Sequence, residues 1–378
     1  MENLDVKRGI SWLDERINAM RSFEGSLLSY VKYSKTLKSN VIRLDANENY
    51  FADIEFLKAA FMEALKEVDL RLYDPSMTFK LRKALAKYLD VAPECVGVGS
   101  GSEHLIDFVI QSFLTRGDVA LSIVPSFFMY DKRILLSGGR IITVPLRNDL
   151  SLDVDKVLAN CSDKTRLIFV CSPNNPAGNQ FDWSEIEALV EGCSAVVIVD
   201  EAYAEFGDGS VCSKAVEKEN LIVIRTFSKA FGLAGLRFGF FVACENLASA
   251  LFEIIPYTVS TVVARFVVKL LDNSKVVQNW IEKVKKEREK LIMKLHSVDG
   301  LEVFDSKANF VTFKPKMDAD RVYKGLLNKG IAVKNLGTLP VIGHCLRVTV
   351  GLPSMNVRFL NALRQVLEEN KGASQRGR

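Results

Sequence analysis

The densest chemistry in this sequence lies in Thr226-Phe227-Ser228-Lys229-Ala230-Phe231-Gly232-Leu233-Ala234-Gly235-Leu236-Arg237. Ala230, Gly232, Ala234 and Gly235 let the backbone turn tightly and approach a ligand, while Thr226 and Ser228 bring hydroxyls and Arg237 a fork-shaped cation. These are the parts of an anion site, and Lys229 stands beside it. A lysine next to a cationic clamp has its ammonium form disfavoured, which frees the neutral amine to condense with a carbonyl. The chemistry so indicated is a Schiff base to a carbonyl compound tethered by a phosphate. A Lys-Ala pair alone fits a solvated loop lysine better, so other residues must decide.

The elements that would position this stretch are short apolar runs. Leu221-Ile222-Val223-Ile224 ahead of it reads as a buried strand. Further strands are predicted at 95–98, 119–123, 140–144, 167–171, 195–199 and 238–242, with helices near 102–114, 127–136 and 183–191 between them. Strands alternating with helices predict an α/β fold, a mostly parallel sheet covered on both faces, with ligands at the carboxyl ends of the strands.

The chemistry-bearing residues fall just after those strands. Strand 95–98 runs into Gly99-Ser100-Gly101-Ser102-Glu103 and a helix, a turn whose free N–H groups favour an anion. After 119–123 comes Pro125-Ser126-Phe127-Phe128-Met129-Tyr130, where an aromatic ring could stack on a flat ligand or serve the core. After 167–171 comes Ser172-Pro173-Asn174-Asn175-Pro176-Ala177-Gly178, whose amides fit a ligand or plain turn chemistry equally. After 195–199 comes Asp200-Glu201-Ala202-Tyr203. An acid ending a wholly apolar strand is costly to bury without a partner, and a protonated heterocyclic nitrogen would be one. Asp200, Asn175, Tyr203, Phe127, Lys229, Arg237 and the Gly101 turn together are the parts needed to hold pyridoxal phosphate.

Beyond Pro256 the texture changes to a Lys- and Glu-rich helical stretch over 259–296, broken near Asp272 and Asn273. Strands at 301–304, 310–313, 332–333 and 346–350 and helices at 319–328 and 355–369 complete a smaller α+β domain. The expected organisation is an N-terminal arm over 1–40, packing with the small domain or a partner, a large ligand-binding domain over 41–255, a small domain over 256–370 and a frayed tail over 371–378.

Motif order adds a family likeness. Ser-Pro-Asn-Asn-Pro-x-Gly, Asp-Glu-Ala-Tyr, Thr-x-Ser-Lys and Gly-Leu-Arg, in that sequence, resemble the fold-type I aminotransferases, from about residue 44 to about residue 363. The resemblance implies pyridoxal 5'-phosphate as cofactor. It implies that Lys229 is the Schiff-base lysine and moves the proton at the substrate Cα, and that Asp200 keeps the pyridine nitrogen protonated. Asn175 and Tyr203 would bond the phenolic oxygen and Phe127 stack on the ring. Gly101, the amides of Ser102 and Glu103, Thr226, Ser228 and Arg237 would hold the phosphate. Tyr73, in Arg71-Leu72-Tyr73-Asp74-Pro75, matches a tyrosine that reaches the partner subunit's cofactor, which implies a homodimer with shared sites. Arg347, in Leu346-Arg347-Val348-Thr349-Val350-Gly351, matches the arginine that grips the substrate α-carboxylate, and Asn47 lies in the segment lining the entrance.

Within the family the likeness is to histidinol-phosphate aminotransferases. Asp45-Ala46-Asn47-Glu48, Arg71-Leu72-Tyr73-Asp74-Pro75, Pro256-Tyr257 and the Lys229 segment resemble their signatures, and Tyr257 joins the substrate-facing residues. That resemblance implies transfer of an amino group between glutamate and imidazole acetol phosphate, in histidine biosynthesis. Some positions depart from the pattern. Ser22-Phe23-Glu24-Gly25 stands where a Pro-Tyr-x-Pro-Gly segment is usual, and Lys334 where an arginine usually meets the substrate phosphate. Phe127 replaces a frequent tyrosine and Glu103 a frequent aspartate. An aromatic or broad-range aminotransferase and a threonine-phosphate decarboxylase remain alternatives.

Composition narrows the field. The 378 residues are 48% hydrophobic and 25% charged with net charge +4, scattered without runs, so no nucleic-acid footprint is expected. Charges at Glu2, Asp5, Lys7 and Arg8 without an apolar segment behind them argue against a secretory signal, and no stretch is long and apolar enough for a membrane helix. Seven dispersed cysteines read as buried thiols in a reducing, cytoplasmic setting. Three distant histidines offer no metal cluster.

Overall fold

The computed structural model describes residues 40–255 and 258–376, with 370–376 by backbone alone. The arm around Phe23 and Tyr257 therefore lie outside the described residues. All elements below belong to the unit Ile42–Arg378.

Two sheets organise this unit. Seven strands, β2 (Val96–Gly99), β3 (Val119–Val124), β4 (Arg140–Pro145), β5 (Thr165–Cys171), β6 (Val196–Asp200), β7 (Leu221–Thr226) and β8 (Gly239–Val242), stand in the order β2-β8-β7-β6-β5-β3-β4. β3, β4, β5, β6 and β7 pair in parallel. Leu167, Ile168, Phe169 and Val170 of β5 and Leu221 to Ile224 of β7 are wholly buried, as continuous apolar runs require when helices cover both faces.

β8 is the exception to the parallel rule, antiparallel to both β2 and β7. A parallel return needs a crossover helix, and between Thr226 and Gly239 the chain holds only a 3-10 turn, Ala234–Leu236. The stretch carrying Lys229 is thus the connection of a β7–β8 hairpin, closed by Phe227 N donating to Phe238 O at 3.0 Å. Its apolar members anchor it: the Phe227 and Phe231 rings stack at 3.8 Å, with Phe238 edge-on at 4.9 Å. Two positions at its bends have positive φ, Gly232 at 70° and Arg237 at 53°.

The second sheet runs β1-β11-β12-β10-β9, from β1 (Ile42–Leu44), β9 (Leu301–Val303), β10 (Phe310–Pro315), β11 (Ile331–Leu339) and β12 (Gly343–Thr349). Only the β1–β11 pair is parallel, Ile42 opposite Ile331. Ile42–Leu44, assigned on sequence to the large domain, hydrogen-bonds instead into this five-stranded sheet.

Most predicted helices recur: Ser102–Phe113, Met129–Leu136, Trp183–Gly192 and Ala319–Asn328. The Lys- and Glu-rich stretch splits as expected, into Thr261–Asp272 and Ser274–His296. Pro75–Leu89 was not anticipated. It opens with Pro75 in its first turn and Asp74 accepting from Met77 N at 3.2 Å, a start signal rather than a periodic one. Among the described residues no helix is long and apolar enough to cross a membrane.

Candidate active site

The carboxyl ends of β3, β5, β6 and β7 bring most of the candidate residues to one place, with β11 and β12 contributing from the other sheet. Lys229 is half-buried, and its Nζ donates to Ala46 O at 3.0 Å. The amine also lies 5.9 Å from the centre of the Tyr203 ring. Burial, followed by the Arg347 charge, pushes its pKa from 10.5 down to about 8. Between those two values the unfolded chain holds a proton that the folded chain has released. Lys229 therefore opposes folding most below pH 8 and ceases to do so as the pH rises through 10.5. In cofactor-free protein, Lys229→Met should raise Tm most below pH 8, with the gain vanishing towards pH 10.5. A gain independent of pH would contradict the lowered pKa.

Beside the lysine is a cradle of donors. Thr226 Oγ1 donates to Ser228 Oγ at 3.0 Å, and Arg237 Nη1 donates to the same oxygen at 3.2 Å. Both hydroxyl residues are buried, whereas the Arg237 side chain is 49% exposed. Helix Ser102–Phe113 begins here with Gly101 as its N-cap and no side-chain cap, so its first N–H groups are open to an anion. Gly101 has φ of 86°, and a Cβ there would stand 2.8 Å from Arg237 Nη2. Gly239 lets the hairpin pass equally close, since a Cβ on it would meet Ser102 N at 2.7 Å. Glu103 Oε2 sits 4.0 Å from Arg237 Nη2 at the rim.

Asp200 ends β6 and is 3% exposed. Oδ2 accepts from Tyr130 Oη at 2.6 Å and Oδ1 from Ala202 N at 3.1 Å. Burial pushes its pKa up, and those two donors work against the rise. A carboxylate has about four lone-pair sites, so capacity remains for another donor. Tyr130 is the neighbour of Asp200 that sequence reasoning missed. It is wholly buried and stacked on Phe169 at 4.8 Å, and the only signal was its place after Phe127 in the strand-end turn. Phe127 is half-buried, edge-on to Tyr130 at 5.5 Å.

Tyr203 is held by Asn47, whose Nδ2 donates to Tyr203 Oη at 3.0 Å. Asn47 has φ of 57° and is tied on every side. Its N donates to Thr349 Oγ1 at 2.9 Å and its carbonyl accepts from Asn309 Nδ2 at 2.9 Å. Its amide thus fixes a tyrosine in this structure.

Arg347 on β12 is buried, with Nη1 donating to Asn175 Oδ1 at 2.5 Å, Nη2 donating to Asp45 O at 3.2 Å, and Nε without a partner. Asn175 thereby turns its amide nitrogen free of that bond. Lys334 on β11 stands directly across from Arg347 in register. Burial, then Arg347, lowers the Lys334 pKa. Tyr73 lies at the surface, 86% exposed, in the loop before Pro75–Leu89.

Donor set and geometry fit a phosphorylated pyridine aldehyde: an uncapped helix start, two hydroxyls and a guanidinium for the phosphate, a depressed lysine for the carbonyl, and a buried carboxylate with spare capacity for a ring N–H.

Comparison with known proteins agrees. The sequence matches the family described as aminotransferase class I and II over residues 39–363, and the chain belongs to that family. Its curated relatives include histidinol-phosphate aminotransferases. That of Ruminiclostridium cellulolyticum is 37% identical over 341 residues, 89% of this chain and 95% of the relative. That of Pyrococcus furiosus is 35% identical over 345 residues, 91% and 97% of the two chains. Among solved structures, histidinol-phosphate aminotransferase from Sinorhizobium meliloti in complex with pyridoxal-5'-phosphate superposes with TM-score 0.82 at 22% identity, covering 93% of this chain and 97% of that one. L-threonine-O-3-phosphate decarboxylase from Porphyromonas gingivalis gives TM-score 0.75 at 23% identity over 87% and 100%. At such identities these two structures show the fold alone, and they bear out the fold-type I expectation.

Proposed function

We propose that this chain is a pyridoxal phosphate-dependent histidinol-phosphate aminotransferase, exchanging an amino group between glutamate and imidazole acetol phosphate to give histidinol phosphate and 2-oxoglutarate. The observation that carries this reading is the placement of Lys229 near two cationic sites, Arg237 with its donor cradle and the cross-strand pair Arg347 and Lys334. Like charges facing each other across strands are unfavourable alone. An anionic substrate offsets that cost, and the two substrates carry a carboxylate and a phosphate for the purpose.

Ser102 N, Glu103 N, Thr226, Ser228 and Arg237 would hold the cofactor phosphate, with the turn at Gly101 giving room for it. Asp200 would keep a proton at the ring nitrogen, Asn175 and Tyr203 would bond the phenolic oxygen, and Phe127 would cover the ring. When bound, the cofactor supplies a carbonyl for the amine and a ring that accepts electrons from the broken Cα–H bond. Lys229 Nζ would take the proton from the substrate Cα and return it to the carbon on the other side of the transferred nitrogen, two bonds away, a task suited to an amine whose pKa is about 8. Arg347 grips the glutamate carboxylate with its fork and Lys334 meets the phosphate end of the other substrate. Each substrate uses the same pocket in turn, a ping-pong cycle. Asn47 and Tyr257 belong to the substrate side.

We read the enzyme as a homodimer in which the partner subunit's Tyr73 completes the phosphate site. The exposed run of Leu70, Leu72, Tyr73 and Phe79 supports a covered surface there. All seven cysteines are free, which supports a reducing, cytoplasmic compartment.

Histidinol phosphate, phenylalanine and threonine phosphate, each supplied with 2-oxoglutarate, test the assignment. Glutamate formed from the first alone supports it, equal rates on phenylalanine point to a broad-range enzyme, and carbon dioxide from the third points to a decarboxylase. Lys334→Met should raise KM for histidinol phosphate by about 10- to 100-fold, the worth of one charge-assisted bond. The glutamate KM should stay within about twofold. An equal loss on both substrates would remove Lys334 from the phosphate end.

A further inference from the structure

On the reverse face of β6 and β7 lies a buried ionic cluster with no part in the chemistry above. Glu201 follows Asp200 and Arg225 precedes Thr226, and alternation along a strand sends such neighbours to opposite faces. The parallel register sets them side by side, with Glu201 N donating to Ile224 O at 2.8 Å. Arg225 Nη2 donates to Glu205 Oε1 at 2.7 Å, and its Nε lies 3.9 Å from Glu201 Oε2. Glu201 is fixed independently by Ser210 Oγ at 2.5 Å and Val211 N at 2.6 Å. The side chains of Arg225, Glu201 and Glu205 are 6%, 3% and 4% exposed.

Buried ion pairs of this kind give little net stability compared with apolar residues of similar volume. What this one does supply is geometry. It joins the residue just past β6 and the penultimate residue of β7 to the 3-10 turn Ala204–Phe206; Glu201 adjoins Asp200, Arg225 adjoins Thr226, and Tyr203 caps the turn that carries Glu205.

We propose that Arg225, braced by Glu201 and Glu205, is a positioning residue that holds Asp200 and Thr226 at a fixed separation, so that one rigid cofactor meets both. The proposal rests on the pyridoxal phosphate reading of the front face. Arg225→Met/Glu205→Met removes a guanidinium and a carboxylate together, and Glu201 loses the Arg225 charge but keeps its two hydrogen-bond donors, Ser210 Oγ and Val211 N.

The test is a titration of the full-length, cofactor-stripped protein with pyridoxal phosphate, alongside Tm and steady-state kinetics. The double variant should fold with a lowered cofactor-free Tm, since Glu201 loses its buried counter-charge, and should bind pyridoxal phosphate about tenfold more weakly, the low end of what supporting partners of ligand groups cost. Its kcat should fall while KM for glutamate stays within about twofold, because Arg347 is untouched. Cofactor affinity and kcat both within twofold of wild type overturn the proposal. If the double variant does not fold, Arg225→Lys decides, since it keeps the charge and loses the fork: threefold or weaker binding supports positioning, and wild-type affinity overturns it. Wild-type protein that takes up no pyridoxal phosphate defeats the cofactor reading and this proposal with it, whereas normal uptake by wild type with unchanged variants defeats the proposal alone.

Discussion

Lys229→Ala should lower kcat/KM for transamination by about 10⁴-fold or more, because in the proposed mechanism one substitution removes both the amine that engages the cofactor and the base that moves the Cα proton. The surroundings of Lys229 favour a large effect. Its nitrogen is held by a single backbone carbonyl, Ala46 O, and its pKa is already pushed down to about 8. Among the described residues the other lysine with a lowered pKa, Lys334, lies across the strand from Arg347. Cofactor binding should suffer less, since Arg237, Ser228 and the helix start remain. Borohydride reduction of the loaded wild-type protein should add cofactor mass to the peptide containing Lys229, and the variant should show none. Retention of activity within tenfold of wild type would remove Lys229 from its role.

Arg347→Leu should raise KM for glutamate by about 10²- to 10³-fold, the loss of two charge-assisted bonds at roughly 1.5–3 kcal/mol each, discounted for desolvation. The guanidinium is oriented in advance by Asn175 Oδ1 and Asp45 O and backed by the Phe310 ring, whose centre lies 5.1 Å from its carbon. Arg347→Lys keeps the charge but cannot form the fork, so it should recover less than tenfold of the loss. The same leucine variant should raise the Lys229 pKa, because Arg347 is the largest depressing influence after burial. A KM unchanged in Arg347→Leu would place the carboxylate elsewhere.

The site was legible where chemistry follows directly upon an apolar strand. Asp200 ends β6 and Asn175, Tyr203 and the Lys229 hairpin stand within a few residues of strand ends, so their placement drew them out as candidates, while the order of the motifs was needed to choose between ligand and turn chemistry. Lys334 and Arg347 could be named from motifs, but that they face one another depends on the register of β11 against β12, where a bulge falls between Asn335 and Gly337. No periodicity reports a bulge in advance. Tyr130 on Asp200 and Asn47 on Tyr203 join residues 70 and 156 positions apart, and nothing local in either segment reveals its partner. The antiparallel β8 was hidden for a different reason: its apolar run looks like those of its parallel neighbours, and only the missing crossover helix sets it apart. Strand β1 is three residues long, too short for pattern to say which sheet it joins.

That short strand has a mechanical consequence. The Ala46 carbonyl that receives Lys229 belongs to the segment leaving β1, and the next residue, Asn47, is bolted to β12 through Thr349 and to Tyr203 on the other side. Because β1 is laced to β11, the five-stranded sheet carries the lysine's resting acceptor as a crank carries its pin. An outward swing of that sheet by about an ångström would stretch a 3.0 Å bond past hydrogen-bonding reach. The posture of one sheet thereby sets the tension on a single amine rooted in the other.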